Sequence, residues 1–299
     1  MRLKLTTILL SCLFVFACKE QKQTSETPQK VSTKKVEKKL PPAYKPNQQF
    51  KDYWYAGKAE ITSYKLEQVR YGELRDGKAV LVYVTEPFLP KVQVKADQKN
   101  PKNVSVLKLN ATKKFNTGIY PYSIMQSTFY PVANNQHALK VSASIQEWCG
   151  QVYTQINNRE QFEVTSHSYF EGEADQNFNL EKAVLENEIW TQLRINPSSL
   201  PIGDFNIIPS LEYIRLKHKP LKVYKAFAEI SEGKYTLSIE ELNKTLTINF
   251  ENNFPFTITS WEETIDGLTT KATKLKTINS AYWNQNSNAN SDLRKTLEL

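Results

Sequence analysis

The chain has 299 residues, with 39 basic and 31 acidic side chains and a formal net charge of +8. Eight lysines against three glutamates lie between residues 19 and 50, so most of the excess charge belongs to that segment and the rest is close to neutral. A body without a basic face of its own argues against nucleic-acid binding.

Met1-Arg2-Leu3-Lys4 is followed by an apolar run from Leu5 to Phe16 that ends in Val15-Phe16-Ala17-Cys18. The run is shorter than the roughly 20 residues that span a bilayer. Two cations, a short apolar stretch and a small residue before a cysteine predict a bacterial lipoprotein signal over 1–17, with Cys18 as the lipid attachment site. Diacylglycerol on its sulfur and a palmitate-like chain on its amine would give stable anchoring. The expected address is the outer membrane, facing the periplasm. Cys18-Lys19-Glu20-Gln21-Lys22 offers only one acid where surface-exported lipoproteins carry an acidic run.

Residues 18–49 are rich in Lys, Gln, Thr, Ser and Pro and read as a disordered tether. A coil of that length reaches about 30 Å, or roughly 100 Å fully extended. From residue 50 the pattern is mostly strand. Lys58 to Arg70 and Ala79 to Thr85 read as a hairpin turning at Asp76-Gly77. Further runs cover 103–109, 120–131, 138–147, 150–157 and 161–170, then 204–216, 221–230, 234–240, 244–250, 254–264 and 268–277. Asn157-Asn158 and Glu232-Gly233 fit turns between runs. Over Asn179 to Ile195 the apolar residues Leu180, Val184, Leu185, Ile189 and Leu193 fall at helical spacing, with Asn179 as N-cap and Pro197 beyond the end. The predicted body over 50–299 is a curved antiparallel meander of about a dozen strands, a half-barrel or open barrel, with one helix.

Gly72-Glu73-Leu74-Arg75-Asp76-Gly77-Lys78-Ala79 has the glycines and lysine of a phosphate loop. It lacks the closing Ser or Thr, and a strand pattern follows it rather than a helix, so no nucleotide is expected. Trp148-Cys149-Gly150 has Val152 where a thioredoxin-like motif needs its second cysteine. Cys149 therefore reads as a small buried strand residue. Cys12 leaves with the signal and Cys18 carries lipid, so no disulfide is expected.

His167, Tyr169, Glu171, Glu173 and Asp175 are spaced by two and would share one face if the strand continued that far. A histidine among carboxylates is the most chemically loaded stretch of the chain. Gly172 and the polar run after Asp175 predict that the strand stops first. His137 and His218 have no evident partner in sequence. The many aromatics, Tyr120, Tyr122, Tyr130, Phe162, Tyr213 and Trp261 among them, would fill a β core or line an apolar cup. No Gly-x-Ser-x-Gly, Gly-x-Gly-x-x-Gly or His-Glu-x-x-His occurs, and no catalytic residue, metal or cofactor is expected.

The stretches Tyr53-Trp54-Tyr55-Ala56-Gly57-Lys58-Ala59-Glu60-Ile61-Thr62-Ser63-Tyr64 and Phe115-Asn116-Thr117-Gly118-Ile119-Tyr120-Pro121-Tyr122 resemble a family of uncharacterised Bacteroidota lipoproteins. So do Leu109-Asn110-Ala111-Thr112, Gln146-Glu147-Trp148-Cys149-Gly150 and Ser166-His167-Ser168-Tyr169-Phe170. Members often carry the label septum formation inhibitor Maf. The Ser-x-Ser-Pro-Arg-Arg signature of Maf nucleotide pyrophosphatases is absent here. The resemblance implies an envelope lipoprotein and supplies no site residues. The expectation is a lipid-anchored, non-enzymatic protein that binds an amphiphile or a protein partner on a curved sheet. The alternatives are an envelope-polymer hydrolase working through the His167–Asp175 stretch, or a structural scaffold.

Overall fold

The computed structural model describes residues 40–98 and 100–299. The signal, Cys18 and most of the tether lie outside the described residues. In chain order the elements are α1 (Gln48–Trp54), β1 (Ala59–Arg70), β2 (Glu73–Leu89), β3 (Val94–Lys95), β4 (Val104–Thr117) and β5 (Tyr120–Pro131). Next come β6 (Lys140–Glu147), β7 (Gly150–Asn158), β8 (Phe162–Ser168), β9 (Gln176–Leu180), β10 (Val184–Leu185) and α2 (Glu186–Ile195). The rest are β11 (Gly203–Ile208), α3 (Leu211–Lys217), β12 (Tyr224–Ser231), β13 (Lys234–Ile239), β14 (Lys244–Phe250), β15 (Ile258–Ile265), β16 (Leu268–Ser280) and α4 (Asp292–Thr296).

All 16 strands belong to one sheet, ordered β10-β11-β12-β13-β14-β15-β16-β1-β2-β4-β5-β6-β7-β8-β9, with β3 pairing off β2. The last strand of the chain therefore pairs with the first in mid-sheet, Ile61 opposite Ile278. The two edges, β9 and β10, are joined by residues 181–183 alone. Four residue steps reach no more than about 14 Å, so the sheet must curl until its edges nearly meet. It is an open barrel: the edges do not pair.

Alternation decides which face is inside. In β4 the side chains of Leu107, Leu109 and Phe115 are buried on the inner face, and Lys114 and Asn116 face out. In β14 Leu246, Ile248 and Phe250 point in while Thr245, Thr247 and Asn249 point out. The concave space is occupied. Helix α2 packs on β4 and β5, α3 packs on β5 and β6, and Phe50 and Trp54 of α1 are fully buried in the same core. A smaller cluster on the outer face puts Leu297 on Ala59, Ile61 and Val84, so the carboxyl-terminal segment covers mid-sheet. Among the described residues no helix is long and apolar enough to cross a membrane.

The meander and its curvature match the sequence reading, and several details differ. The helix begins at Glu186, not near Asn179, because Phe178 and Leu180 pair with Val164 and Phe162 across β8–β9. Instead of one helix there are four α-helices among the described residues, and the run 204–216 divides into β11 and α3. The first hairpin turns at Tyr71-Gly72, both at positive φ (55° and 79°), as a tight two-residue turn requires. Asp76-Gly77 lies inside β2, where a Cβ on Gly77 would sit 2.5 Å from the Lys114 carbonyl oxygen. That glycine answers a close strand approach, not a turn. The contacts of the body reach back to Pro41, whose carbonyl accepts from Asn135, and to Tyr44, whose N–H donates to Ala133.

Candidate functional site

The interior was the first candidate, since a curved sheet could hold a ligand. The residues facing that space form a closed polar network. Lys244 bonds Glu186 (2.8 Å) and Glu263 (2.7 Å), and Lys113 bonds Glu212 (2.7 Å). The amino end of α3 needs partners for four N–H groups, and each has one. Ser210 N–H donates to Glu186, Leu211 N–H to Asn187 Oδ1, Glu212 N–H to Gln126 Oε1 and Tyr213 N–H to Ser210 Oγ. Gln126 also donates to Glu212, and Asn187 to Gln126. Burial works against the charge of Lys244, but Glu186 and Glu263 outweigh it and raise its pKa well above the usual lysine range. Burial pushes the Glu212 carboxyl up despite Lys113. The network encloses a cavity of about 50 Å³. This space suits ordered water, whereas a larger cavity of about 460 Å³ opens on the same concave face between β7–β9 and α3, lined by Val152, Ser166, Phe178, Ile214 and His218 among others.

A second buried charge pair closes the other half of the interior. Arg194 of α2 grips Glu60 of β1 with two bonds of 2.7 and 2.6 Å, and both side chains are about 1 % exposed. Tyr53 of α1 donates to the same carboxylate. Burial would raise the pKa of Glu60, yet Arg194 holds it below the usual range.

The stretch singled out in sequence does not form one site. Strand β8 stops at Ser168 and the chain turns through Tyr169 to Asp175. His167 stays on the outer face, with Nδ1 3.2 Å from Asp175, and both side chains are largely exposed. Glu171 is exposed. Glu173 turns inward and accepts from Ser168 Oγ (2.6 Å), with its other oxygen 2.6 Å from His218 Nδ1. Here the carboxylate stands between hydroxyl and imidazole, so the histidine cannot take the serine proton directly, as a nucleophile would need. Among the described residues no three His, Cys, Asp or Glu side chains gather as a metal site. His137, isolated in sequence, has Nδ1 2.8 Å from Glu188. Cys149 is exposed in the β6–β7 turn, not buried in a strand.

What sequence reasoning missed is the end of the barrel opposite chain entry. Five neighbouring hairpin tips meet there, and each exposes a large apolar residue: Leu268 (β15–β16), Tyr71 (β1–β2), Ile119 (β4–β5), Trp148 (β6–β7) and Tyr169 (β8–β9). Successive tips stand two strand spacings apart, about 9.5 Å. Ring contacts link them. Tyr71 Oη is 3.0 Å from Tyr122 Oη, Arg70 lies over both rings, and Tyr120 stacks on Trp148 at 6.2 Å. Gly150 leaves space for the Tyr169 ring, since a Cβ there would sit 2.8 Å from it. Exposed Glu73, Glu171, Asp175 and Asp266 rim this crown, against Lys219 and the half-buried Arg75 and Lys217. The opposite end also exposes apolar residues, among them Tyr55, Val92, Ile202 and Trp283. Those lie on irregular segments, not on successive tips. One signal for the crown was available in sequence: Tyr71-Gly72, Gly118-Ile119 and Trp148-Cys149 put bulky apolar residues in turns, where polar ones prevail.

No family model and no curated protein matches this chain. Three chains of known structure resemble it. One is a β-barrel-like protein of domain of unknown function DUF1849 from Brucella abortus, with a TM-score of 0.44 and 4 % identity, covering 74 % of this chain and 98 % of that one.

Proposed function

We propose that the protein is a lipid-anchored, non-enzymatic component of the cell envelope that docks a protein partner through the crown. The observation that carries this reading is the run of five adjacent tips, each with an exposed large apolar residue. Contiguous exposed apolar surface on a soluble domain marks interaction sites, and Tyr, Trp and Arg dominate the energetic centres of protein interfaces. The rim carries both signs, with Glu73 paired to Arg75 and Asp266 to Lys217, so the aromatic and apolar centre rather than net charge sets the choice of partner. The described chain enters at the far end, where Tyr44 bonds Ala133. Strand β1 alone, 12 residues long, separates the ends by roughly 40 Å.

The anchor rests on the signal pattern at residues 1–18, and the test is palmitate labelling, expected in the native chain and lost in Cys18→Ser. Docking is tested in intact cells with a photo-crosslinking amino acid at Ile119 or Trp148, against the same group at Lys225 on the convex face. The expected result is one discrete product, shared by both crown positions and lost when Tyr71 and Tyr169 are replaced by alanine. Identical products from crown and convex face, or none from either, would leave the scaffold reading in its place.

A further inference from the structure

We infer that the cavity between β7–β9 and α3 binds a single-chain amphipathic anion, an aliphatic tail carrying one negative head group. The inference goes beyond the docking reading and does not depend on it. The cavity measures about 460 Å³, within the range of roughly 300 to 1,000 Å³ usual for small-molecule sites. It lies where the sheet fails to close. Gln176 and Phe178 on one wall belong to the edge strand β9, and Lys219 and Leu221 on the other belong to the link from α3 to β12. Among the described residues no strand pairs with the free edge of β9. Exposed Gly172, Gln176 and Lys219 mark the mouth.

The walls behind the mouth suit a tail. Val152 and Leu211 line the cavity and are buried. Phe178, Ile214 and Leu221 pack against the core yet stay only half-buried. They keep apolar surface that a chain of methylenes would remove from water. The uncharged polar side chains here already have partners. Thr154 and Ser166 share a hydrogen bond of 2.7 Å, and Gln176 donates to the Glu173 carbonyl. None of them asks the guest for a polar atom along its length.

The charges select the head group. Glu173 is spent, since Ser168 Oγ and His218 Nδ1 each lie 2.6 Å from one of its oxygens. Arg215 can only donate, so at 3.2 Å the other nitrogen of His218 accepts from it and Nδ1–H is left to donate to Glu173. Arg215 also faces Glu147 at 3.7 Å. Lys219 is left over: exposed at the mouth, it bonds no carboxylate among the described residues. An anionic head on a tail seated against Phe178 and Leu221 meets that free ammonium. A cationic head would meet the same ammonium and find Glu173 already holding two donors.

The test uses the whole chain from residue 18, carrying Cys18→Ser so that no acyl chain of its own competes. The probes are hexanoate, octanoate, octyl phosphate, octylammonium and octanol, below micelle-forming concentrations. Binding is read from the methyl resonances of Val152, Ile214 and Leu221, with Ile119 of the crown as the control that stays still. Affinity should rise about fourfold for each methylene added from hexanoate to octanoate. Octanoate should bind about tenfold more tightly than octylammonium. Lys219→Glu should reverse that order and leave octanol unchanged. Leu221→Trp, which narrows the cavity from the link, should weaken every probe and does not rely on the Lys219 variant. Tighter octanoate points to a free acid as the source, tighter octyl phosphate to a lipid-derived phosphate, and either supports the inference. Equal binding of octanoate and octylammonium overturns it. So does a preference that survives Lys219→Glu, or a response at Ile119 in place of Val152. None of these results touches the crown crosslink, so either reading can fail alone.

Discussion

The inside of this barrel and its crown use charge and aromatic surface in opposite ways. Inside, the ion pairs Glu60–Arg194, Glu186–Lys244 and Glu212–Lys113 are buried and saturated with hydrogen bonds. They bind helices to sheet. On the crown, Tyr71, Ile119, Trp148 and Tyr169 are 60 to 86 % exposed and hold no helix in place. The interior charges are a condition of folding, because a buried charge is tolerable only when paired. The crown side chains leave most of their surface to solvent, so the fold asks little of them. A cleft rich in charge looks like chemistry and a rim of turns looks like filler. Under the docking proposal the assignment is the reverse.

The largest expected effect lies inside. Arg194→Met leaves Glu60 buried without its cation and should destabilise the protein by about 3–5 kcal/mol. Urea unfolding measures it. The double variant with Glu60→Leu should recover much of that loss. A single variant costing under 1 kcal/mol would mean the pair is not a fastener. Next comes Asn187→Ala, which strips the acceptor from Leu211 N–H at the start of α3. A lost cap of this kind costs about 1–2 kcal/mol. Hydrogen exchange should locate the loosening in α3, with β12–β15 unchanged. Uniform loosening of the whole sheet would contradict the local role given to Asn187.

How much of this was legible in sequence follows from the range of each interaction. The meander was legible because alternation is local: Leu246, Ile248 and Phe250 show their period without reference to a partner. The β9–β10 edges were not. Leu180, Val184 and Leu185 carry helical spacing, and pairing across to Phe162 and Ile207 overrides it. Asp76-Gly77 resembled a turn because Gly77 is required for a reason only β4 reveals. Glu173 and His218 are 45 residues apart, and Glu60 and Arg194 are 134 apart. No spacing rule joins such pairs. The His167–Asp175 run was legible as a chemically loaded segment and misleading as a site, since the end of β8 at Ser168 turns its members to different faces.

A pH dependence separates the interior from its margin. His137 lies at the edge of α2, a third exposed, and touches Glu188. Burial lowers its pKa, but the bond and charge of Glu188 outweigh that and raise it above the ordinary value of 6.5. A raised histidine contributes stability that is complete below about pH 6.5 and fades as pH rises through the raised value. Melting temperature should therefore fall slightly between pH 6.5 and 8.5 in the native chain, and the fall should shrink in His137→Gln. An identical decline in both would place the sensitivity elsewhere. The sign is opposite for Glu60, whose lowered pKa makes its contribution complete at neutral pH and lost in acid.

The smallest expected effect sharpens the comparison most. Replacing Ile119, Trp148 and Tyr169 together by serine removes three exposed side chains from turns. Exposed substitutions away from caps and cores usually move stability by no more than about 0.5 kcal/mol each. Tyr169 does lean on Gly150 and Trp148 on Tyr120, so the triple variant should lose about 0.5 kcal/mol per site, about 1.5 kcal/mol in all. Solubility should rise, because the three most exposed apolar side chains of the tips are gone. If the variant unfolds like Arg194→Met, the crown is part of the core and the contrast fails. If it folds normally and a photo-crosslinking group at Tyr71, which the variant leaves in place, no longer gives the discrete product seen without the three serines, the tips serve the partner, because the barrel stands without them.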